Sequence, residues 1–165
     1  MRALFAALLW CCAVPAWAAD SVSENAMKAA YLFNFAKFID WPGGIGVQFN
    51  ICALGEHSLG RALDSLEGKS VKERGVHVLH LAGAEAARNC QIAFVGDGLS
   101  GRELAALGEA GVLTVGDDDG FLDQGGHIVL ARDGDRVVFD VNLPAMRRAR
   151  LAISARLLKV ARSVR

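Results

Sequence analysis

Short apolar runs alternate with helical stretches along most of this chain, and that alternation limits its fold more than any other feature. The runs are 47–54 (Val-Gln-Phe-Asn-Ile-Cys-Ala-Leu), 76–81, 91–95 and 112–115. They are rich in β-branched and apolar residues, and Gly55 and Gly96-Asp97-Gly98 stop the first and third. Between them, Ser58 to Leu66 places Leu59, Ala62, Leu63 and Leu66 at helical spacing. Residues 69–73 read as a short extended piece, and 84–89 and 99–108 as further helices. Such alternation predicts a largely parallel sheet covered on both faces. The last two runs, 127–131 and 136–141, flank Asp133-Gly134, a hairpin signal, so the sheet should finish with an antiparallel pair. A helix is predicted from Leu143 onward, broken near Leu151-Ala152 and restarting near Ser154. Ile153, Leu157, Val160 and Val164 would form its apolar stripe. The expected fold is therefore α/β: a mostly parallel mixed sheet, helices on both faces, and a C-terminal β-hairpin plus helix.

A longer helix is predicted ahead of the sheet, from Ser23, which can cap it, to Trp41, with Pro42-Gly43-Gly44 ending it. Tyr31, Leu32, Phe35, Phe38 and Ile39 form a broad apolar face, with Asn34, Lys37 and Asp40 opposite. Phe33 falls among the polar residues, where it either packs beneath a loop or faces a partner.

The chain opens on Arg2 and an apolar run from Ala3 to Val14, broken by Pro15 and followed by Ala16-Trp17-Ala18. That pattern is a secretory signal sequence: a short basic start, an apolar stretch and a small-x-small cleavage site. The run is shorter than the roughly 20 residues a membrane-crossing helix needs. Lipid attachment at Cys11 or Cys12 is disfavoured by the bulky Trp10; an uncleaved anchor is the other alternative. The expectation is a cleaved signal peptide over 1–18 and a single exported domain over 19–165. No repeat, linker or low-complexity tract divides that domain, and no later segment is long and apolar enough to span a membrane. Removing Arg2 with the signal leaves 17 basic against 18 acidic residues, a balance that gives no reason to expect nucleic acid.

Export sorts the cysteines. Cys11 and Cys12 leave with the signal, and Cys52 and Cys90 remain as an even pair in an oxidising compartment. A Cys52–Cys90 disulfide is expected; the alternative is two buried free thiols. No Cys-x-x-Cys spacing suggests redox catalysis.

Among polar features, charge is the most informative. Residues 144–165 hold Arg147, Arg148, Arg150, Arg156, Lys159, Arg162 and Arg165 and no acid, whereas 97–123 is strongly acidic. A basic helix can complement its own carbonyl end, an acidic neighbour, a phosphate or an anionic bilayer. The plainest reading is a solvated face with intramolecular or subunit pairing. Asp117-Asp118-Asp119 lacks the alternating ligands of a calcium loop and reads as a solvated turn. His57, His77, His80 and His127 are scattered, so no metal site is expected. Gly96-Asp97-Gly98 falls where open α/β sheets bind ligands, which is an argument from position alone. Nucleotide-binding fingerprints are missing, and Ser58, Ser65, Ser100 and Ser154 have no nucleophile-elbow context. The chain reads as a non-enzyme without a cofactor.

Residues 27–42, Met-Lys-Ala-Ala-Tyr-Leu-Phe-Asn-Phe-Ala-Lys-Phe-Ile-Asp-Trp-Pro, resemble the opening helix of the YfiR family of periplasmic proteins. The resemblance continues through 51–55, 113–117, Asn142-Leu143 and 147–158. It implies a periplasmic α/β sandwich of YfiR type with a tendency to form homodimers. It also implies a repressor of an inner-membrane diguanylate cyclase of YfiN type, acting on its periplasmic sensor domain to lower cyclic-di-GMP output and biofilm formation. Family members serve other cyclases or sensor kinases as well. Cys52 and Cys90 match the family's stabilising disulfide; the second cysteine pair of YfiR itself has no counterpart here. On this reading Phe33, Arg147, Arg148 and Arg150 are the candidate partner-binding residues. The alternative is a periplasmic module whose basic helix binds a small anion, such as a nucleotide or other phosphate.

Overall fold

In the strand Phe49–Leu54 successive side chains enter two different cores. Phe49, Ile51 and Ala53 face one, Cys52 and Leu54 the other. That is the period-two alternation of a strand buried on both sides. The same alternation divides Ile92 and Phe94 from Ala93 and Val95, and Ile128 and Leu130 from Val129. A computed structural model describes residues 17–165. Apart from Trp17 and Ala18, the expected signal peptide, with Cys11 and Cys12, lies outside the described residues.

The elements run in the order α1 (Trp17–Phe38), β1 (Ile39–Asp40), β2 (Phe49–Leu54), β3 (Ser70–Val71), β4 (Arg74–Leu81), β5 (Ile92–Val95), α2 (Gly101–Glu109), β6 (Leu113–Gly116), β7 (Ile128–Asp133), β8 (Arg136–Val141), α3 (Leu143–Arg148), β9 (Ala152–Ile153), α4 (Ala155–Leu158) and β10 (Ser163–Val164). Two 3-10 helices, Gly60–Leu66 and Ala84–Asn89, stand where α-helices were expected. Leu59, Leu63 and Leu66 are still buried as their spacing predicts. The main sheet has the order β10-β8-β7-β6-β5-β2-β4-β3. Its centre, β4-β2-β5-β6-β7, is parallel throughout. α1 and the first 3-10 helix cover one face; α2 and the second cover the other. The expected α/β class, with helices on both faces, is what the chain adopts.

Several boundaries differ from expectation. The first helix begins before Ser23, which therefore lies inside it rather than capping it. It stops at Phe38 because Ile39 and Asp40 pair antiparallel with Ile153 and Ala152, and Ser154 N donates to the Phe38 carbonyl. The β7–β8 hairpin forms, with Gly134-Asp135 as its two turn residues, but it is not the edge of the sheet. β10 adds in parallel outside β8, pairing Ser163 with Asp140 and Val164 with Val141. The predicted C-terminal helix is thus two short helices, and α4 ends at Leu158. Ser154 does start it, its Oγ accepting from Leu157 N. Val160 and Val164 are exposed, so they do not continue the stripe of Leu157.

The core on the α1 side is aromatic. Phe35 meets Phe139 edge-on at 5.2 Å, Tyr31 meets it at 5.6 Å, and the Tyr31 hydroxyl donates to the Val137 carbonyl. Leu32, Phe35 and Ile39 of the predicted face are wholly buried, and so is Ala36 beside them. On the opposite face the Cys52–Cys90 disulfide, with Cα atoms 6.1 Å apart, ties the middle of β2 to the residue that ends the second 3-10 helix.

Candidate functional site

At the carboxyl ends of β2 and β5, in the region where ligands commonly bind in such sheets, the chain packs on itself. Asp97 N donates to the Glu56 carbonyl and Gly96 N to the Leu54 carbonyl, so the loops after β2 and β5 lie directly on each other. A Cβ at Gly96 would clash with the Glu56 carbonyl oxygen. Gly96-Asp97-Gly98 is therefore a close-approach loop, packed backbone to backbone on the loop after β2.

Beside it, Asp117 leaves the acidic run to hold two partners, Lys28 Nζ at 2.8 Å and the Ser58 hydroxyl. Lys28 is 6% exposed and also pairs with Glu24 at 2.8 Å. Burial works against its charge, but the bonds to Asp117 and Glu24 outweigh it and raise its pKa above the usual value. Asp118 turns the chain by accepting from Phe121 N. His57 stacks on His80 at 5.8 Å, and burial, then the neighbouring histidine, lowers its pKa. His80 and His77 each meet a carboxylate, Asp64 at 2.7 Å and Glu67 at 3.1 Å. Among the described residues no three His, Cys, Asp or Glu side chains converge as metal ligands would.

His127 is buried beneath α2, where its Nδ1 accepts from Thr114 N at 3.0 Å. Burial, then the positive charge of Arg148, pushes its pKa down to about 4. A neutral, hydrogen-bonded imidazole in such a place holds structure together rather than moving protons.

The residues singled out for partner binding fall in two places. Phe33 is half-buried against the main core, with the Lys37 ammonium 4.3 Å and the Lys69 ammonium 5.5 Å from its ring centre. These are cation–π contacts. Arg147 and Arg148 are exposed on the last turn of α3, and Arg150 is exposed just beyond it. Of the seven basic residues in 144–165, Arg162 pairs with Asp140 and Arg165 with Asp123. Arg147, Arg148, Arg150, Arg156 and Lys159 make no ion pair among the described residues. Arg150 also lines a cleft at the amino ends of β5 and β6, together with Trp41, Arg88 and Gln91. Sequence reading did not single out Arg88 or Gln91. They come from different segments, and only the fold brings them to Arg150.

Comparison with known proteins bears on both fold and family. No curated protein matches the chain. A conserved domain protein from Vibrio cholerae O1 biovar El Tor superposes with a TM-score of 0.50 at 10% identity, over 85% of this chain and 60% of that one. That likeness concerns the fold alone. The ABC domain in complex with L-Trp from Streptococcus pneumonia reaches a TM-score of 0.47 at 9% identity, over 71% of this chain and 55% of that one. The chain thus spans little more than half the length of either structure. The YfiR/HmsC-like family model matches residues 25–162, nearly all of the described fold. The chain belongs to the YfiR/HmsC-like family, whose members are periplasmic regulatory proteins of cyclic-di-GMP signalling.

Proposed function

We propose that this protein is a periplasmic repressor that docks on the sensor domain of an inner-membrane diguanylate cyclase and holds it inactive, lowering cyclic-di-GMP output. The family match over residues 25–162 carries this reading. A second observation supports it: five basic side chains near the C-terminus, Arg147, Arg148 and Arg150 among them, have no ion-pair partner among the described residues. An acidic sensor surface would meet them, and such charges set partner choice and association rate more than affinity. Phe33, flanked by Lys37 and Lys69, offers a second basic and aromatic point of contact.

The mechanism is binding without turnover. A docked protein shifts a sensor only by its differential affinity for the two sensor states. Turning a cyclase from almost fully on to almost fully off takes a preference of roughly 10⁴-fold for the inactive state. Oxidised, tagged protein incubated with solubilised native membranes should retain a membrane cyclase or sensor kinase. Reversing Arg147, Arg148 and Arg150 to glutamate should weaken that capture and raise cyclic-di-GMP in cells. Capture of no signalling protein by a folded, oxidised sample defeats the proposal.

A further inference from the structure

Two helices end facing one cleft, and they end by the same hydrogen-bonding pattern. After α2, Gly111 N donates to the Gly108 carbonyl and Val112 N to the Leu107 carbonyl. After α3, Arg150 N donates to the Arg147 carbonyl and Leu151 N to the Met146 carbonyl. This closure needs one residue in the left-handed conformation, a place that favours glycine. At α2 the residue is Gly111, with φ +81; at α3 it is Arg150, with φ +58. An arginine held there carries backbone strain that a glycine would not, and strained residues concentrate at binding sites.

The strain fixes where the Arg150 side chain starts. It borders a cleft of about 350 Å³ formed with Trp41, Arg88, Gln91, Ala110 and Gly111. Among the described residues no acidic side chain lines this cleft. Arg88 Nε lies 3.1 Å from Glu85 Oε2, an exposed pair between neighbouring turns. Exposed pairs of this kind are weak. The Gln91 Oε1 is engaged by Asn50 N at 2.7 Å, which leaves its amide nitrogen as a donor. Two guanidinium groups, a carboxamide donor and an indole wall form the donor set of an oxyanion site, in which a bound anion would compete with Glu85 for Arg88. The volume is that of a small-molecule pocket.

We propose that this cleft binds a small molecule through an oxyanion, a carboxylate or a phosphate group, gripped by Arg150 and Arg88. The opposing view is that Arg150 only complements the carbonyl ends of the two helices. The two views predict opposite effects for Arg150→Gly. Relief of backbone strain raises the melting temperature if the arginine serves a ligand; loss of helix-end complementation lowers it if that is the arginine's role.

Trp41 provides the readout. The protein is labelled with ¹⁵N-tryptophan, and the Trp41 indole signal is assigned by its loss in Trp41→Phe. Inorganic phosphate and malonate are titrated separately at constant ionic strength set with chloride. The Trp41 signal should move and saturate with one probe before the other, which identifies the oxyanion. Arg150→Gly and Arg88→Gln should each weaken that binding about tenfold, with Arg150→Gly melting higher than the parent. The proposal fails if neither probe gives a saturable shift, if both variants bind as the parent does, or if Arg150→Gly melts lower. This titration is independent of docking on a sensor, so failure of one reading leaves the other standing.

Discussion

Breaking the Cys52–Cys90 bond should remove a large part of the stability of the domain. The bridge closes a loop of 38 residues. In the chain-entropy treatment a loop of that length restricts the unfolded state by about 4 kcal/mol. Domains of ordinary stability hold only about 5–15 kcal/mol in total. Both sulfurs are buried, with Cys52 at 0% and Cys90 at 4% exposure, in a core lined by Leu54, Ala93 and Leu107. Reduction leaves two small, buried, nearly apolar thiols in place. The packing loss is then slight, and the change reports the cross-link itself. With a urea slope of about 2 kcal/mol/M, the midpoint should fall by about 2 M on reduction. The slope should also rise, because an uncrossed unfolded chain exposes more surface. Urea titrations followed by circular dichroism, with and without reductant, measure both. The Cys52→Ala/Cys90→Ala double variant should match the reduced protein, less a modest packing penalty. A midpoint shift under about 0.5 M would refute the argument, since it would mean that the unfolded chain is already restricted without the bond.

Other residues make further tests. His127 titrates near 4 when folded, because of burial and then Arg148, against about 6.5 when unfolded. The unfolded state therefore binds the proton first: stability is full above about pH 6.5 and falls as pH drops toward 4, by about 3 kcal/mol in all. His127→Gln should flatten that slope in urea midpoints measured across the range; an unchanged slope assigns the acid sensitivity elsewhere. Asp117→Ala leaves the buried Lys28 with Glu24 alone and should cost about 2 kcal/mol in chemical unfolding, whereas a neutral result would mean the lysine finds water. Gly96→Ala forces a Cβ onto the Glu56 carbonyl and should cost about 3 kcal/mol; wild-type stability would show that the two loops can part freely. Phe35→Ala empties the centre of the aromatic cluster and should lose about 3–5 kcal/mol, and a loss under about 1 kcal/mol would contradict the packing described.

The elements that sequence reading reached are those whose signal is local. The period of Leu32, Phe35 and Ile39 marks a helix face without knowledge of what it covers. β5 declares itself by a continuous apolar run, and β2 by one broken only at Asn50, because both of their faces are buried. The misread boundaries depend on distant partners. Nothing around Ile39 or Asp40 announces a strand; Ile153 and Ala152 make it one. Nothing in Val164 tells a helix stripe from an edge strand until β8 lies beside it. The site was less legible still. Left-handed positions advertise themselves as glycine, as at Gly111, and an arginine in the same conformation gives no such sign. Arg88 lies 62 positions before Arg150, and only the adjacency of the strand beginnings brings them to one cleft.

The contact between Tyr31 and β8 has a consequence for the order in which the chain folds. Its hydroxyl reaches a carbonyl 106 positions away, and Phe35 leans on a ring of the same distant strand. β1 finds its partner later still, at Ile153 and Ala152. The contacts of Tyr31 and Phe35 with β8 therefore wait for the hairpin, although α1 can already pack on the first 3-10 helix and β2. Contacts of such long range are slow to form, because the loop between them must close first. Until then the part of the α1 face carrying Tyr31 stays uncovered, so refolding should be more sensitive to protein concentration before β8 is in place than after.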